Sequence, residues 1–485
     1  MKKLMFTTIL ALTMIIFTAC NAEEDTGELA ARHFHADLDY MLHTLENNFA
    51  LFDVAYWARG VDIYAIVDDI RAEIDVNPDM DVDGFYDALT RNFEPLQWIA
   101  HFEIVSPRRH YFFMNDPAGR RLLGSFAPSS FARLRESHVM AFYEDRWARP
   151  QAAAPQGVDE TIAHLMNIND IEIEAYIERF NEVLTSFGQL QLAAELATSL
   201  RARDFEEATR LFEIIDDIFT NISEGTNITT SILEEGRVAF LAVNSFIFED
   251  NRRASDVAKT LAFYQDIAGF DHLIVDLRSS GGGNHRYFLD AIISPNIDEL
   301  IVLDAFYFFI AGDYVVEFIS PRGFQGASPA GTPVRTLEAD LGKMPMYQIL
   351  EEFYLPQFNT ADAERLQYGI QTQIRIQSAR DTNTSFDGRI WVLTGLRMGS
   401  ASQIAAWAAK ESEVATLVGN ITGGVYGGPR TMVALPNSGI LFLMDVFYVA
   451  DEHGRPLEAG TIPHYFNIPG MDALETVLAM IEEGY

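Results

Sequence analysis

Residues 388–419 read GRIWVLTGLRMGSASQIAAWAAKESEVATLVG. An apolar, β-branched run, RIWVLT, ends in a polar turn marked by glycine, and a small-residue stretch with helical spacing starts at Ser400. A second apolar run, VATLVG, follows it. Strand, turn, helix and strand in this order describe one α/β crossover unit. Ser400 stands at the joint, where the first amides of a helix point outward unpaired and favour negative charge. A serine there is either an ordinary N-cap or a nucleophile held exposed above a sheet edge. Its neighbours Gly399, Ala401 and Ser402 are small and keep the approach open.

A second unit of the same kind lies upstream. GRVAFLAVNSFI and FDHLIVDLRSS read as strands, and ASDVAKTLAFYQDIAGF between them has helical periodicity. Gly281, Gly282 and Gly283 come straight after the second strand, so the backbone can turn sharply there and approach a ligand closely. Amides unscreened by side chains suit an oxyanion. A nucleotide loop needs a Gly-Lys-Ser/Thr ending, and no lysine lies near; a dinucleotide fingerprint needs spaced glycines. Asp276 and Arg278 are expected to pin the strand end. Further strand material, SGILFLMDVFYVA (438–450), and a closing helix, GMDALETVLAMIEEGY, complete an α/β region expected over residues 231–485.

The first part of the chain is different. Residues 29–92 carry helical spacing, as in DLDYMLHTLENNF and VDIYAIVDDIRAEI, and are expected to form an N-terminal helical domain. Residues 93–114 read as more extended. Residues 93–230 as a whole are expected to be an extended segment plus a helical scaffold or lid, interrupted by the surface loop WARPQAAAPQGVDE.

Residues 1–20, MKKLMFTTILALTMIIFTAC, combine two lysines, a short apolar stretch and the chain's one cysteine. This is the pattern of a secretion signal. The small residues before Cys20 resemble a bacterial lipobox, which implies cleavage there, a linker over 21–28 and a lipid anchor on Cys20 in the cell envelope. One cysteine excludes an intrachain disulfide. The formal net charge is −35, a field that repels nucleic acid and anionic lipid. After the signal only Lys259, Lys343 and Lys410 remain as lysines. No His-Glu-x-x-His or paired-cysteine spacing calls for a metal, and no cofactor is expected.

Several stretches in order resemble peptidase family S41, the tail-specific or C-terminal-processing proteases. They are FDHLIVDLRSSGGG, FDGRIWVLTGLRMGSASQIAAWA, LVGNITGG, LPNSG and GRPLEAGTIPHYFNI, followed by GMDALETVLAMI. The likeness is greatest to the branch with interphotoreceptor-retinoid-binding-protein and tricorn-core-like domains. It implies a ClpP/crotonase-like α/β catalytic core behind an N-terminal helical domain, with no PDZ domain evident. It places the nucleophile on Ser400 in SASQ, and oxyanion donors on the amides of Gly282 or Gly283 and of Ala401.

Two departures bear on the chemistry. The processing-protease branch uses a lysine some 25 residues after the nucleophile, and the matching place here is Val425. The other branch pairs the serine with an early histidine and a glutamate. Its histidine falls on His101 in LQWIAHFEI, with Ile99 and Ala100 replacing the usual neighbours, and its acid falls on Glu458 in PLEAGTIP, expected to orient the histidine directly or through an intermediary. Asn420 replaces a usual glutamate, and His464 in IPHY is expected to be a surface-turn residue, the alternative being a substitute proton carrier. The resemblance implies a serine peptidase acting on extended or partly unfolded polypeptides, Ser400 attacking and His101 serving as base. The alternative is a catalytically inactive peptide- or ligand-binding lipoprotein on the same fold.

Overall fold

The computed structural model describes residues 26–124, 126–147, 190–223, 227–246, 252–280, 282–310, 312–315, 317–320, 323–324, 332–336, 350–351, 353–359, 361–426, 428 and 430–485, with Ile162, Leu165, Met166, Ile173, Tyr176 and Ile177. The secretion-signal and lipid-anchor expectation on residues 1–20 lies outside them.

The chain begins with helices α1 (Thr26–Asn48), α2 (Phe52–Arg59), α3 (Ile63–Val76) and α4 (Val82–Asn92). Asp62 and Asp81 cap α3 and α4 by accepting backbone N–H bonds in the first turn. The stretch expected to be extended, 93–114, is extended only at strand β1 (Glu103–Ile104) and then turns into helix α5 (Pro107–Asn115). The physical reason is local. Ser106 accepts from Arg109 N, and Pro107 at the first helical position has no N–H to leave unpaired.

Residues of the middle segment form α6 (Leu190–Arg201) and α7 (Phe205–Ser223). Leu196, Leu200, Leu211 and Phe212 from this pair join Leu165, Tyr176 and Ile177 in a small hydrophobic cluster separate from the main one. Two arginine–glutamate pairs tie the helices to the body: Arg397 to Glu195, with Nε at 2.8 Å, and Arg201 to Glu94.

The α/β region is built on a six-stranded sheet. Its strands are β2 (Ile228–Glu234), β3 (Val238–Val243), β4 (His272–Asp276), β8 (Arg389–Thr394), β9 (Thr416–Gly419) and β13 (Tyr465–Phe466), in the order β13-β9-β8-β4-β3-β2. All pairs but β2–β3 are parallel. The central strands are buried on both faces, so they read as continuous apolar runs. Ile390 and Val392 face the main cluster, whereas Trp391 and Leu393 face the closing helix α10 (Ala473–Glu482). That helix starts with a capping box between Asp472 and Glu475.

Helices α8 (Arg252–Asp266) and α9 (Ala401–Glu411) follow β3 and β8, completing the two crossovers read from the sequence. A second, antiparallel sheet combines β5 (Ile301–Phe309), β6 (Thr332–Thr336), β7 (Tyr368–Ile376) and β12 (Tyr448–Asp451), in the order β12-β5-β7-β6. A third joins β1 to β10 (Arg430–Ala434) and β11 (Leu441–Asp445) in the order β1-β11-β10. Through it the N-terminal part of the chain contributes a strand beside β11, with Glu103 opposite Leu443. One hydrophobic cluster runs from Phe34 and Leu45 in α1 to Val392 and Ala405, so the helices and the α/β region share a core.

Candidate active site

The strand β8 ends at Thr394, and the chain turns through Gly395–Gly399 to enter α9. Ser400 sits at the N-cap position with φ 53° and ψ −116°, and its side chain caps no amide. The ordinary N-cap role is therefore not what holds the serine there. Its backbone N–H instead donates to Gly424 O (3.1 Å) and Val425 O (2.8 Å). Ser402 donates its hydroxyl to Ser280 O and Gly399 O, both at 2.9 Å, which fastens the start of α9 to the strand end that leads into the glycine turn.

The glycine turn comes up against the serine. A Cβ on Gly282 would lie 3.1 Å from Ser400 Cβ and 3.3 Å from Ser400 Oγ. Gly283 has φ 139°, a conformation that side chains disfavour, and bridges in parallel fashion to Phe246. Ala401 is the first residue of α9, so its N–H is among those a helix leaves without an internal partner. Upstream, Asp276 accepts from Arg278 N (2.9 Å) and pairs with its guanidinium (2.7 Å), which also reaches Asp472 (2.8 Å). That pair pins the strand end.

His101 is buried in the turn that precedes β1. Its Nδ1 lies 2.8 Å from Asp445 Oδ2. Asp445 also donates its backbone N–H to Ala100 O (3.0 Å). The other ring nitrogen, Nε2, is buried and makes no hydrogen bond among the described residues, to Ser400 Oγ included. Burial, reinforced by the positive charges of Arg430 and Arg109, holds the imidazole well below its usual pKa, so the ring is neutral near neutral pH. Burial pushes Asp445 upward, opposed by Arg430, whose Nε is 3.9 Å from Oδ1, and by Gly428 N–H.

Glu458 does not reach the ring in a hydrogen bond. One of its oxygens accepts from Ala100 N (2.9 Å) and the other from Tyr426 N (3.0 Å). It joins the turn that carries His101 to the turn whose carbonyls hold Ser400. Burial, with the neighbouring Asp445, raises its carboxyl to about 7, against the pull of the two amides and of Arg59. Arg59, at the end of α2, donates to Gly423 O in that second turn. Gln403 is also buried: its amide donates to Leu457 O and Thr461 Oγ1 and accepts from Thr422. A neutral amide can both donate and accept here, which a carboxylate cannot.

Val425 is buried beside the serine turn. Its Cβ is 3.3 Å from where a Cβ on Gly399 would stand. The position expected from the resemblance to match the processing-protease lysine is thus adjacent to the serine and apolar. Lys410 points elsewhere and donates to Ile462 O (3.0 Å). His464 accepts from Leu417 N (2.9 Å), a backbone-pinning role.

Seven non-glycine residues among those described have positive φ, and four of them are Ala100, His101, Ser400 and Val425. Each such conformation costs about 1–3 kcal/mol and persists only where surroundings over-determine it. The strain is concentrated on the three turns that carry His101, Ser400 and Val425. Asp445 was not foreseen from sequence, although a lone carboxylate inside the apolar run ILFLMDVFYVA was an available signal.

A glycine turn against a helix-start serine, with a carboxylate-bound histidine in the turn before β1, sits within an α/β domain. Residues 237–466 match the model of peptidase family S41. No curated protein sequence matches the chain. Among solved structures, it is similar to a candidate peptidase from Parabacteroides merdae at 15% identity, over 94% of this chain and 96% of that one, with TM-score 0.46. It is also similar to mature CPAF complexed with lactacystin at 14% identity, over 94% and 98% of the two chains, with TM-score 0.47. The photosystem II D1 C-terminal processing protease is similar over 52% of each chain at 17% identity and TM-score 0.27.

Proposed function

We propose that this S41 peptidase hydrolyses peptide bonds through Ser400, with His101 as general base, and that its substrates are extended or partly unfolded polypeptides outside the cytoplasm. The observation that carries the reading is the close approach of Gly282 to Ser400, because it sets unscreened backbone against a hydroxyl able to attack. In the proposed reaction His101 Nε2 takes the Ser400 proton as Oγ bonds to the carbonyl carbon. Negative charge on the carbonyl oxygen is met by the amides of Gly282 or Gly283 and of Ala401. The imidazolium then gives its proton to the leaving amine as the C–N bond breaks, and water repeats the sequence on the acyl-enzyme. The neutral state of the His101 ring supports this, since a base must be unprotonated to act. Because Nε2 makes no hydrogen bond to Oγ in this structure, the proposed reaction requires substrate binding to bring the two together. Anchoring at Cys20 belongs to the same proposal and rests on the sequence pattern of residues 1–20.

The test is labelling with a fluorophosphonate, followed by mapping of the modified residue and by hydrolysis of an unfolded protein such as reduced casein. The expected result is modification of Ser400, with labelling and hydrolysis both lost in Ser400→Ala. Absence of both in the native chain, together with peptide binding that Ser400→Ala leaves unchanged, would establish the other reading, a binding protein on an S41 fold. The unpartnered Nε2 and the valine at 425 are what favour that second reading. Incorporation of labelled palmitate, lost in Cys20→Ala, tests the anchor.

A further inference from the structure

We propose that Asp445 is the residue that positions His101 for proton transfer, and that Glu458 acts on the backbone of the same turn rather than on the ring. This rests on the reading of Ser400 and His101 given above. The resemblance supplies a glutamate for the role and assigns nothing to Asp445.

Asp445 grips the Ala100–His101 pair twice. Its N–H holds Ala100 O at 3.0 Å, and its carboxylate holds the ring at 2.8 Å. It is the last residue of β11, where the antiparallel register with β1 brings it to the start of the histidine turn. Ala100 and His101 both have positive φ, at 51° and 48°. A turn of two non-glycine residues in that region reverts to ordinary backbone unless held. Glu458 holds its N–H side and Asp445 its carbonyl side.

The carboxylate decides which ring nitrogen is basic. With Asp445 accepting at Oδ2, the hydrogen stays on Nδ1 and the lone pair stays on Nε2. When Nε2 takes the serine proton, the imidazolium forms against a carboxylate. The charged groups packed around the pair are Arg430 on β10, Arg109 on α5, Glu103 on β1 and Glu458. The two arginines oppose the imidazolium, so the ring releases its proton readily to the leaving amine. Arg109 is itself buried, its Nε 3.6 Å from Glu103 Oε1, and neither Nε nor one terminal nitrogen makes a hydrogen bond among the described residues.

The experiment is ¹⁵N NMR of the His101 ring in the native chain and in Asp445→Ala, with kcat and KM measured for both and for Asp445→Glu and Asp445→Asn. The native ring is expected in the Nδ1–H tautomer. In Asp445→Ala it shifts toward the Nε2–H form usual in water. The expected fall in kcat is about 10³-fold for Asp445→Ala and Asp445→Asn, with KM changed less than about threefold, and Asp445→Glu recovers part of it. An Nε2–H tautomer in the native chain overturns the proposal, and that measurement needs no variant to fold. So does Asp445→Ala activity within about threefold of native. A native chain that shows the Nδ1–H tautomer but neither labels nor hydrolyses would instead refute the peptidase reading while leaving the Asp445–His101 pairing in place.

Discussion

Gly282 faces Ser400 so closely that a Cβ on the glycine would lie 3.3 Å from the serine hydroxyl. The glycine's own φ is not in the left-handed region, so its requirement is for space and not for an unusual backbone. Gly282→Ala is therefore expected to fold, at an overpacking cost of about 1 kcal/mol. Its methyl group would occupy the approach to Oγ. Hydrolysis of a peptide substrate should fall about 10²-fold or more in kcat/KM, while the thermal midpoint moves by a few degrees. Turnover equal to the native chain would show that substrate does not enter past Gly282.

The backbone of Ser400 is in a conformation that L-residues avoid, and its hydroxyl caps nothing. Stability and function are thus opposed at one residue. Ser400→Gly should raise the unfolding free energy by about 1 kcal/mol, because glycine enters that region without steric cost. It should remove fluorophosphonate labelling altogether. Urea unfolding of both variants compares the two effects: Ser400→Ala keeps the strain and loses the hydroxyl, so it should remain within about 0.5 kcal/mol of native. A Ser400→Gly chain less stable than native would mean that the hydroxyl makes a stabilising contact.

Glu458 gives a pH signature. Burial raises its carboxyl from the ordinary 4.5 to about 7 in the folded chain. Between these values the folded state holds a proton that the unfolded state has released, so this group's contribution to stability falls as pH rises. From pH 5 to pH 8 the loss is about 2–3 kcal/mol. Glu458→Gln cannot titrate. The difference in unfolding free energy, native minus variant, should accordingly drop by about 2–3 kcal/mol over that range. Urea titrations at several pH values measure it. A constant difference would place the Glu458 pKa at its ordinary value.

The α/β frame was legible because its evidence is local. Strands such as IWVLT are buried on both faces and read as unbroken apolar runs, and Ser400 and Gly281–Gly283 mark the turns that follow them. The partner of His101 was not legible by the same route. Asp445 lies 344 residues further on, and only the β1–β11 pairing brings it to the ring. Glu458 was found by resemblance, but its contact with two backbone amides depends on turns that periodicity does not describe. The helix at Pro107–Asn115 was missed although Ser106-Pro107 is a helix-start signal, because the apolar residues around it, HFEIV and HYFF, outweigh it in a strand reading. The middle segment's ion pairs, Arg397–Glu195 and Arg201–Glu94, join side chains far apart in sequence and leave no local trace.

His101 determines the acid side of the activity profile. Its ring is held well below the ordinary 6.5, first by burial and then by Arg430 and Arg109. The sign is that of a buried neutral base: the proton is resisted, so the active form survives to lower pH than a free histidine allows. The acid limb of kcat/KM should therefore fall clearly below pH 6.5. A limb near 7 that disappears in Glu458→Gln would belong to Glu458, whose carboxyl titrates there. Replacing Arg430 with methionine removes one of the two positive charges while keeping much of the apolar packing. It should move the His101 limb upward, toward 6.5. Profiles of the native chain, Glu458→Gln and Arg430→Met on one peptide substrate separate the two groups. An acid limb at 6.5 or above in Glu458→Gln, unmoved by Arg430→Met, would show that the catalytic base is not this buried ring.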